Sequence, residues 1–393
     1  MFDRLQIAYP RERLLVGMAD SGLELVKLLG WPRSERHQGH DAPRRILLLR
    51  LERIGDLLMV LDAIAMARSL APQSEITLAV GSWNLPIARL IRDVDRIEVV
   101  DAPWIAGGSS SGSWTALARM ARVWRSRHYD LGVNLEPDIR SNLLLALSAA
   151  KRRVGFLSGG GGALLTDALA ADPAAHVAEN AMAVVRLAFG NPNAGIGEPA
   201  GRLHIPEEAR RRATELLSHT RAGARLIGIQ PGAGRKIKEW DPVRFAEVGA
   251  QLAAMPNVSV ILVGNADDRA ALDEVRAAWP ANIPATQLPV ETDLVVLAAV
   301  LEQLNLFITG DTGPMHLAAA VGTPVLAIFG PSLPTRFAPL TARSRIVRID
   351  IACSPCNLLR RPPARCVGHV PDCLAGITSD EVLRAANELL DAC

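Results

Sequence analysis

Lysine is nearly absent from this chain. Of 43 basic side chains, only Lys27, Lys151, Lys236 and Lys238 are lysines, the rest being arginine. Two of them share one short loop, which makes that loop hard to dismiss as random surface. Long apolar runs are absent as well: no stretch of about 18 uninterrupted apolar residues occurs, so no transmembrane helix is expected. The opening residues, MFDRLQIAYPRERLL, carry acidic side chains and lack a compact apolar segment followed by a small-residue cleavage site, which argues against a secretory signal. Five cysteines in 393 residues do not make a secreted disulfide scaffold. Nor does one sign of charge dominate. With 43 basic and 41 acidic side chains the net charge is +2, which argues against a general nucleic-acid binder. The cytosol is the expected compartment.

What is present is a globular composition, 49% apolar and 21% charged, in a chain long enough for two α/β domains with separate cores. The most informative stretch is FITGDTGPMHLAAAVGTPVLAIFGP, Phe307 to Pro331. An apolar run (Leu304 to Ile308), a turn, a small-residue helix pattern (His316 to Val321) and a second apolar run (Pro324 to Phe329) predict strand, turn, helix, strand. Asp311 and Thr312 stand at N-cap positions ahead of Gly313 and Pro314. Free backbone N–H groups and the positive helix end would therefore face an anion such as a diphosphate. His316 falls one turn into the helix, within reach of the same spot. The turn alone is equally well explained by an ordinary capped helix with a packed histidine.

Residues 1–43 form an extension of their own. Leu14, Leu15, Met18, Leu23, Leu25, Leu28 and Leu29 are spaced as an amphipathic helix ended by Trp31-Pro32, and a polar linker follows. Its apolar face either docks onto the protein or lies on a bilayer, and Asp20 and Glu24 weigh against the bilayer. The first α/β domain covers 44–190. Ile46 to Leu49 predicts a buried strand, followed by a loop and a helix from about Gly55 to Arg68. Gly55 lets the backbone approach a ligand, and Asp56 at the helix start is either a base kept ionised by the helix N-terminus or an N-cap. Ile76 to Gly81 and Ile97 to Pro103 predict further strands, with a helix near Leu85 to Ile91 between them. After the glycine-serine loop Gly107 to Ser113, a basic helix (Trp114 to Arg127) carries Arg119, Arg122, Arg125 and Arg127 as a solvated face or an anion patch. A strand ending at Asn134-Leu135 places Glu136, Asp138 and Arg140 where parallel sheets carry ligand residues.

The linker 191–206 is rich in glycine and proline, and the second α/β domain follows over 207–350. Arg225 to Gln230 predicts a strand, and the loop PGAGRKIKEWDP holds Gly232, Gly234, Lys236 and Lys238 before an Asp241 N-cap. Glycines and lysine ahead of a helix suit a phosphate, though the spacing is not that of a Walker A loop. Asp267, just past a strand end, either binds a ribose hydroxyl or caps the next helix. In the tail, 351–393, Cys353, Cys356, Cys366 and Cys373 are irregularly spaced and leave two readings open, reduced thiols or a structural zinc. Thr378 to Glu381 forms a capping box before a last helix.

Three separated stretches, ILLLRLERIGDLLM, PGAGRKIKEWDPVRFAEV and GDTGPMHLAAAVGTPVLAIFGPSLP, resemble glycosyltransferase family 9, the heptosyltransferases of lipopolysaccharide core synthesis. The resemblance implies an α/β GT-B fold of two facing Rossmann-like domains with parallel sheets, acceptor on the N-terminal half and donor on the C-terminal half. It implies an inverting transfer of a sugar from a nucleotide-diphosphate sugar, by family default ADP-heptose, to a lipid-linked or lipopolysaccharide-core glycan, with no cofactor. Such an enzyme would work in the cytoplasm or at the inner face of the cytoplasmic membrane. Asp56 resembles the family's base, Lys238 the lysine on the donor diphosphate, and Asp311, Thr312, Gly313 and His316 the donor signature, with Asp267 near the ribose. The departures are Gly232-Ala233-Gly234, where many members carry hydroxyl residues, and the extension 1–43, which matches nothing in the family. Two other classes compete: a nucleotide-sugar 2-epimerase of similar architecture and a non-catalytic sugar-nucleotide binder.

Overall fold

The structure, a computed structural model, describes residues 2, 4–28, 42–101, 114–195 and 203–392. The predicted glycine-serine loop, the end of the first helix with most of its linker, and the residues 196–202 of the second linker lie outside the described residues. The chain splits into two compact units, Met1–Arg202 and Leu203–Cys393.

Strands form where apolar runs are uninterrupted, because a parallel strand is covered on both faces. In the first unit these are β1 (Arg45–Leu49), β2 (Glu75–Val80), β3 (Arg96–Val99), β4 (Leu131–Asn134), β5 (Arg152–Phe156) and β6 (Asp167–Leu169). The second unit has β7 (Arg225–Gln230), β8 (Val258–Leu262), β9 (Thr286–Gln287), β10 (Leu306–Gly310), β11 (Val325–Ile328) and β12 (Ser344–Val347). Every pairing is parallel, and the two six-stranded sheets run β3-β2-β1-β4-β5-β6 and β12-β11-β10-β7-β8-β9. Renumbered from its own first strand, the second sheet has the order of the first, that of a Rossmann fold. In such sheets the chain reverses its winding between the first and fourth strands, and the loops leaving their C-terminal ends flank a natural ligand crevice. Here those pairs are β1 with β4 and β7 with β10.

Most departures from the sequence reading concern helices. The single helix expected from Gly55 to Arg68 is two, Ile54–Leu58 and Leu61–Leu70. All of Leu57 to Leu61 are buried, which one straight helix with a single inner face cannot achieve, and the break at Val60 turns the second helix inward. The helix near Leu85 to Ile91 shortens to Leu85–Ala88, and β3 stops at Val99. Arg119, Arg122 and Arg125 are exposed, as a solvated face would be, while Arg127 donates to Glu98 at 2.7 Å.

The N-terminal helix, Pro10–Leu28, reverses one expectation. It docks on the first unit through Gly17 and Asp20, with Leu14, Leu15, Leu25 and Leu28 left exposed. Asp20 accepts from the Gly161 N–H at 2.7 Å and from Arg4 at 2.5 Å, and so is withdrawn from solvent. A Cβ on Gly160 would come within 2.7 Å of Val16 of this helix, and one on Gly17 within 2.4 Å of Phe2, so small residues set the close approach. Among the described residues no helix is long and apolar enough to cross a membrane.

The second unit's core gathers β7, β8, β10 and β11 with the Pro242–Ala253 helix and, from the tail, Leu374, Ile377, Val382 and Leu390. The tail is thus built into the unit. Its capping box forms as read: Thr378 and Glu381 exchange backbone hydrogen bonds at the head of the Ser379–Asp391 helix.

Candidate active site

In the first unit, β1 ends on Arg50, a guanidinium only 3% exposed. Burying a guanidinium is tolerable only with its donors satisfied. Arg50 donates to the Leu135 carbonyl beyond β4 (2.7 Å), the Asp56 carbonyl (3.1 Å) and the Asp56 carboxylate (3.1 Å). It therefore stitches together the two loops at the point where the sheet reverses. Asp56 lies in the first turn of the Ile54–Leu58 helix, beside Gly55, and also accepts from the Arg53 N–H at 3.3 Å. Arg53, not Asp56, stands at the N-cap; Asp56 is the third helical residue, closes the helix start from there and keeps its carboxylate partly open to solvent.

Three more carboxylates crowd this spot. Glu136 is buried and accepts from the Leu51 N–H at 3.2 Å; burial raises its pKa above the usual carboxylate range, with Arg50 opposing. Asp138 caps the Ile139–Leu147 helix by accepting from the Arg140 N–H (2.7 Å) and binds the Arg140 guanidinium at 2.5 Å, which raises the arginine's pKa further. Glu52 is exposed beside these carboxylates, and their charge sets the direction of its shift. Its pKa rises from 4.5 to about 8, first through the Asp56 carboxylate, then through loss of hydration and Glu136.

The second unit's site is built differently. β7 ends on Gln230, which is buried. Its amide donates to Asp268 at 3.3 Å, and its carbonyl oxygen accepts from Thr309 (3.1 Å) and Thr312 (3.0 Å). Thr312 caps the Gly313–Ala320 helix, accepting from the Met315 N–H at 3.3 Å, with Pro314 in the first turn as read. Asp311, one residue earlier, pairs with the Lys238 ammonium at 2.8 Å. Lys238 closes the short Lys236–Lys238 turn, and Ile237 and Trp240 on either side are buried. Trp240 packs edge-on against Phe245 at 4.9 Å and donates to the Ile377 carbonyl at 3.1 Å. The lysine is thus held between two core anchors.

Of the residues singled out from sequence, Lys238, Asp311, Thr312 and Gly313 meet at this helix start, and His316 is buried on the same helix. Gly232 serves the scaffold directly: a Cβ there would fall 2.0 Å from the Asp268 carboxylate. Asp267 is exposed, with its backbone N–H bonded to the Asn265 side chain, and its neighbour Asp268 is the one that enters the polar network. Arg50, Glu52, Gln230, Thr309 and Asp268 were not singled out. Their signal was a polar residue at or just beyond the C-terminal end of a buried strand. In the tail, Cys353, Cys356 and Cys366 are half-buried and Cys373 is buried, all as free thiols, with burial raising the Cys373 pKa. Among the described residues no three His, Cys, Asp or Glu side chains are grouped to hold a metal ion.

Two Rossmann-like units, with carboxylates at one crevice and a lysine beside a helix N-terminus at the other, have the parts of a two-domain enzyme acting on an anionic donor. The profile of glycosyltransferase family 9 (heptosyltransferase) matches residues 117–361, more than half of the chain, and the chain belongs to that family. It is a glycosyltransferase. It is similar to the lipopolysaccharide core heptosyltransferase OpsX of Haemophilus influenzae, 25% identical over 79% of this chain and 85% of the relative. Among solved structures, a family 9 glycosyltransferase from Veillonella parvula superposes with a TM-score of 0.75 at 23% identity, covering 89% of this chain and 98% of that one. The ADP-heptose lps heptosyltransferase II of Escherichia coli superposes with a TM-score of 0.72 at 22% identity, covering 88% and 99%. The fold is α/β of the GT-B class.

Proposed function

We propose that the chain transfers heptose from ADP-heptose, with inversion, to a lipid-linked glycan of the lipopolysaccharide core at the inner face of the cytoplasmic membrane. The domain covering 44–190 binds the acceptor and the one covering 207–350 the donor. The observation that carries this reading is the Lys238–Asp311 pair at the start of the Gly313–Ala320 helix. An ammonium has three donors, so Lys238 can keep Asp311 and still reach a phosphate oxygen, while the helix N-terminus offers its positive end and the Gly313 N–H to the same anion, Pro314 having none and Met315 giving its own to Thr312. Charge growing on the departing diphosphate is offset there. Asp56, oriented by Arg50, takes the proton from the attacking hydroxyl, and Glu136 and Arg140 border the acceptor. As proposed, the reaction needs no cofactor beyond the donor.

The similarity of this chain to heptosyltransferases supports the sugar and the acceptor class. The test is ADP release from ADP-heptose with and without lipopolysaccharide-core acceptor, alongside the anomeric configuration of the product. Acceptor-dependent release with inversion is expected. Epimerised donor formed without acceptor would point to the 2-epimerase class, and ADP binding without release under any condition would point to a binding protein.

A further inference from the structure

The N-terminal helix is fastened by the side that an amphipathic helix ordinarily turns to solvent. Gly17 and Asp20 face the protein. On the outside stand Leu14 (51% exposed), Leu15 (64%), Met18 (52%), Leu25 (57%), Val26 (40%) and Leu28 (80%). At 100° per residue these six fall within one half of the helix circumference, an apolar stripe from Leu14 to Leu28 with the small residues Ser21 and Gly22 at its middle. Scattered exposed leucines need no explanation, but a stripe along one helix does.

The charges on this helix are sorted as well. Asp20 is buried against Gly161 and Arg4, and Glu12 and Glu24 are half-buried, with Glu12 on the side where its charge acts on Arg140. The charged residues left exposed on the helix are Arg11 and Lys27, and Lys27 points away from the stripe. Arg11 lies within the arc of the leucines, where a headgroup phosphate suits it and an apolar protein face does not. We infer that this outward face lies on an anionic phospholipid surface, the leucines entering the headgroup boundary and Arg11 meeting a phosphate.

The position of the helix supports the same occupant. It rests on the loop after β5, where Gly159 lies against the Pro137 carbonyl, next to Glu136, Asp138 and Arg140. Docking would bring these loops to the surface that carries a lipid-linked acceptor. That last consequence rests on the function proposed above; the docking itself rests on the helix alone.

The test is cosedimentation of the full chain with vesicles of phosphatidylcholine alone or mixed with phosphatidylglycerol, with no donor or acceptor present. Binding to the mixed vesicles is expected, and a Leu15→Ser, Leu25→Ser, Leu28→Ser variant should lose it by roughly tenfold or more. All three side chains are exposed, so circular dichroism and ADP-induced thermal stabilisation should match the parent. Arg11→Glu should abolish the preference for phosphatidylglycerol. Failure of the parent to bind either vesicle, or equal binding by the leucine variant, overturns the inference. So does a parent dimer that the leucine variant turns into a monomer without any vesicle binding, since the face then belongs to a second copy. Transfer to a water-soluble, delipidated acceptor should be unchanged in the leucine variant, and its loss in the parent would count against the proposed function instead.

Discussion

The two units share a strand order, yet the crevices at their switch points carry opposite chemistry. The first gathers Glu52, Asp56, Glu136 and Asp138 around two arginines; the second has Lys238, a helix N-terminus and neutral hydrogen-bonding groups, with Asp311 as the lysine's partner. A shared backbone therefore fixes where a ligand goes but not what kind. The first crevice offers carboxylates, two of them balanced by Arg50 and Arg140. The second is suited to an anion, and its network of Gln230, Thr309, Thr312 and Asp268 sets the loop in place without adding positive charge.

Asp56→Ala gives the sharpest break between the two. Turnover should fall by roughly 10²–10⁴, the usual weight of a general base, while ADP still raises the melting temperature as in the parent. Normal turnover would remove the base assignment. Arg50→Met comes next, because it strips Asp56 of its buried guanidinium partner and leaves the Leu135 carbonyl unpaired. A loss of about 3 kcal/mol, or roughly 6–12 °C in melting temperature, is expected. The shift produced by ADP should be unaffected, since the site proposed for that ligand is in the other crevice. Lys238→Ala should weaken ADP binding by ~10–100-fold, the range of a charge-assisted hydrogen bond, measured by calorimetry. Unchanged ADP affinity would mean that Asp311 alone occupies the lysine.

Smaller effects refine the picture. Gly232→Ala puts a methyl into Asp268 and should cost about 1–3 kcal/mol in thermal unfolding, with its effect on ADP binding following from the displaced loop. Glu52→Gln should act through pH. Because the folded-state pKa of Glu52 is raised from 4.5 to about 8, the folded chain binds more protons than the unfolded one between those values, so this group's contribution to stability falls as pH rises through that window. The variant should gain on the parent in melting temperature from about pH 5 to pH 9; parallel pH profiles would show that Glu52 does not feel Asp56.

Central strands were legible in the sequence because burial on both faces demands unbroken apolar runs, as in Ile46 to Leu49 or Arg225 to Gln230. The edge strands β6, β9 and β12 are half-covered, short and mixed in composition, so they leave no such run and were not read. Helix starts with a cap and a proline, at Asp241 and Thr312, were readable from chemistry local to a few residues. What escaped was long-range. Nothing near Arg50 in sequence announces that its partners include Leu135, and nothing near Gln230 announces Thr309. The direction of the N-terminal helix was missed for the same reason: its leucines declared an apolar stripe, but only the remote Gly161 N–H explains why Asp20 faces inward.

The hydrogen bond from Trp240 to the Ile377 carbonyl has a wider meaning. It joins the bracket that carries Lys238 to the final segment of the polypeptide. A lesion in that segment, whether a frameshift near the end or a clip by a carboxypeptidase that reached Ile377, would leave every group at the donor crevice chemically intact and still loosen the ammonium's mounting. Loss of affinity in such a truncated chain would be a fault of the hinge post, with the lock itself untouched.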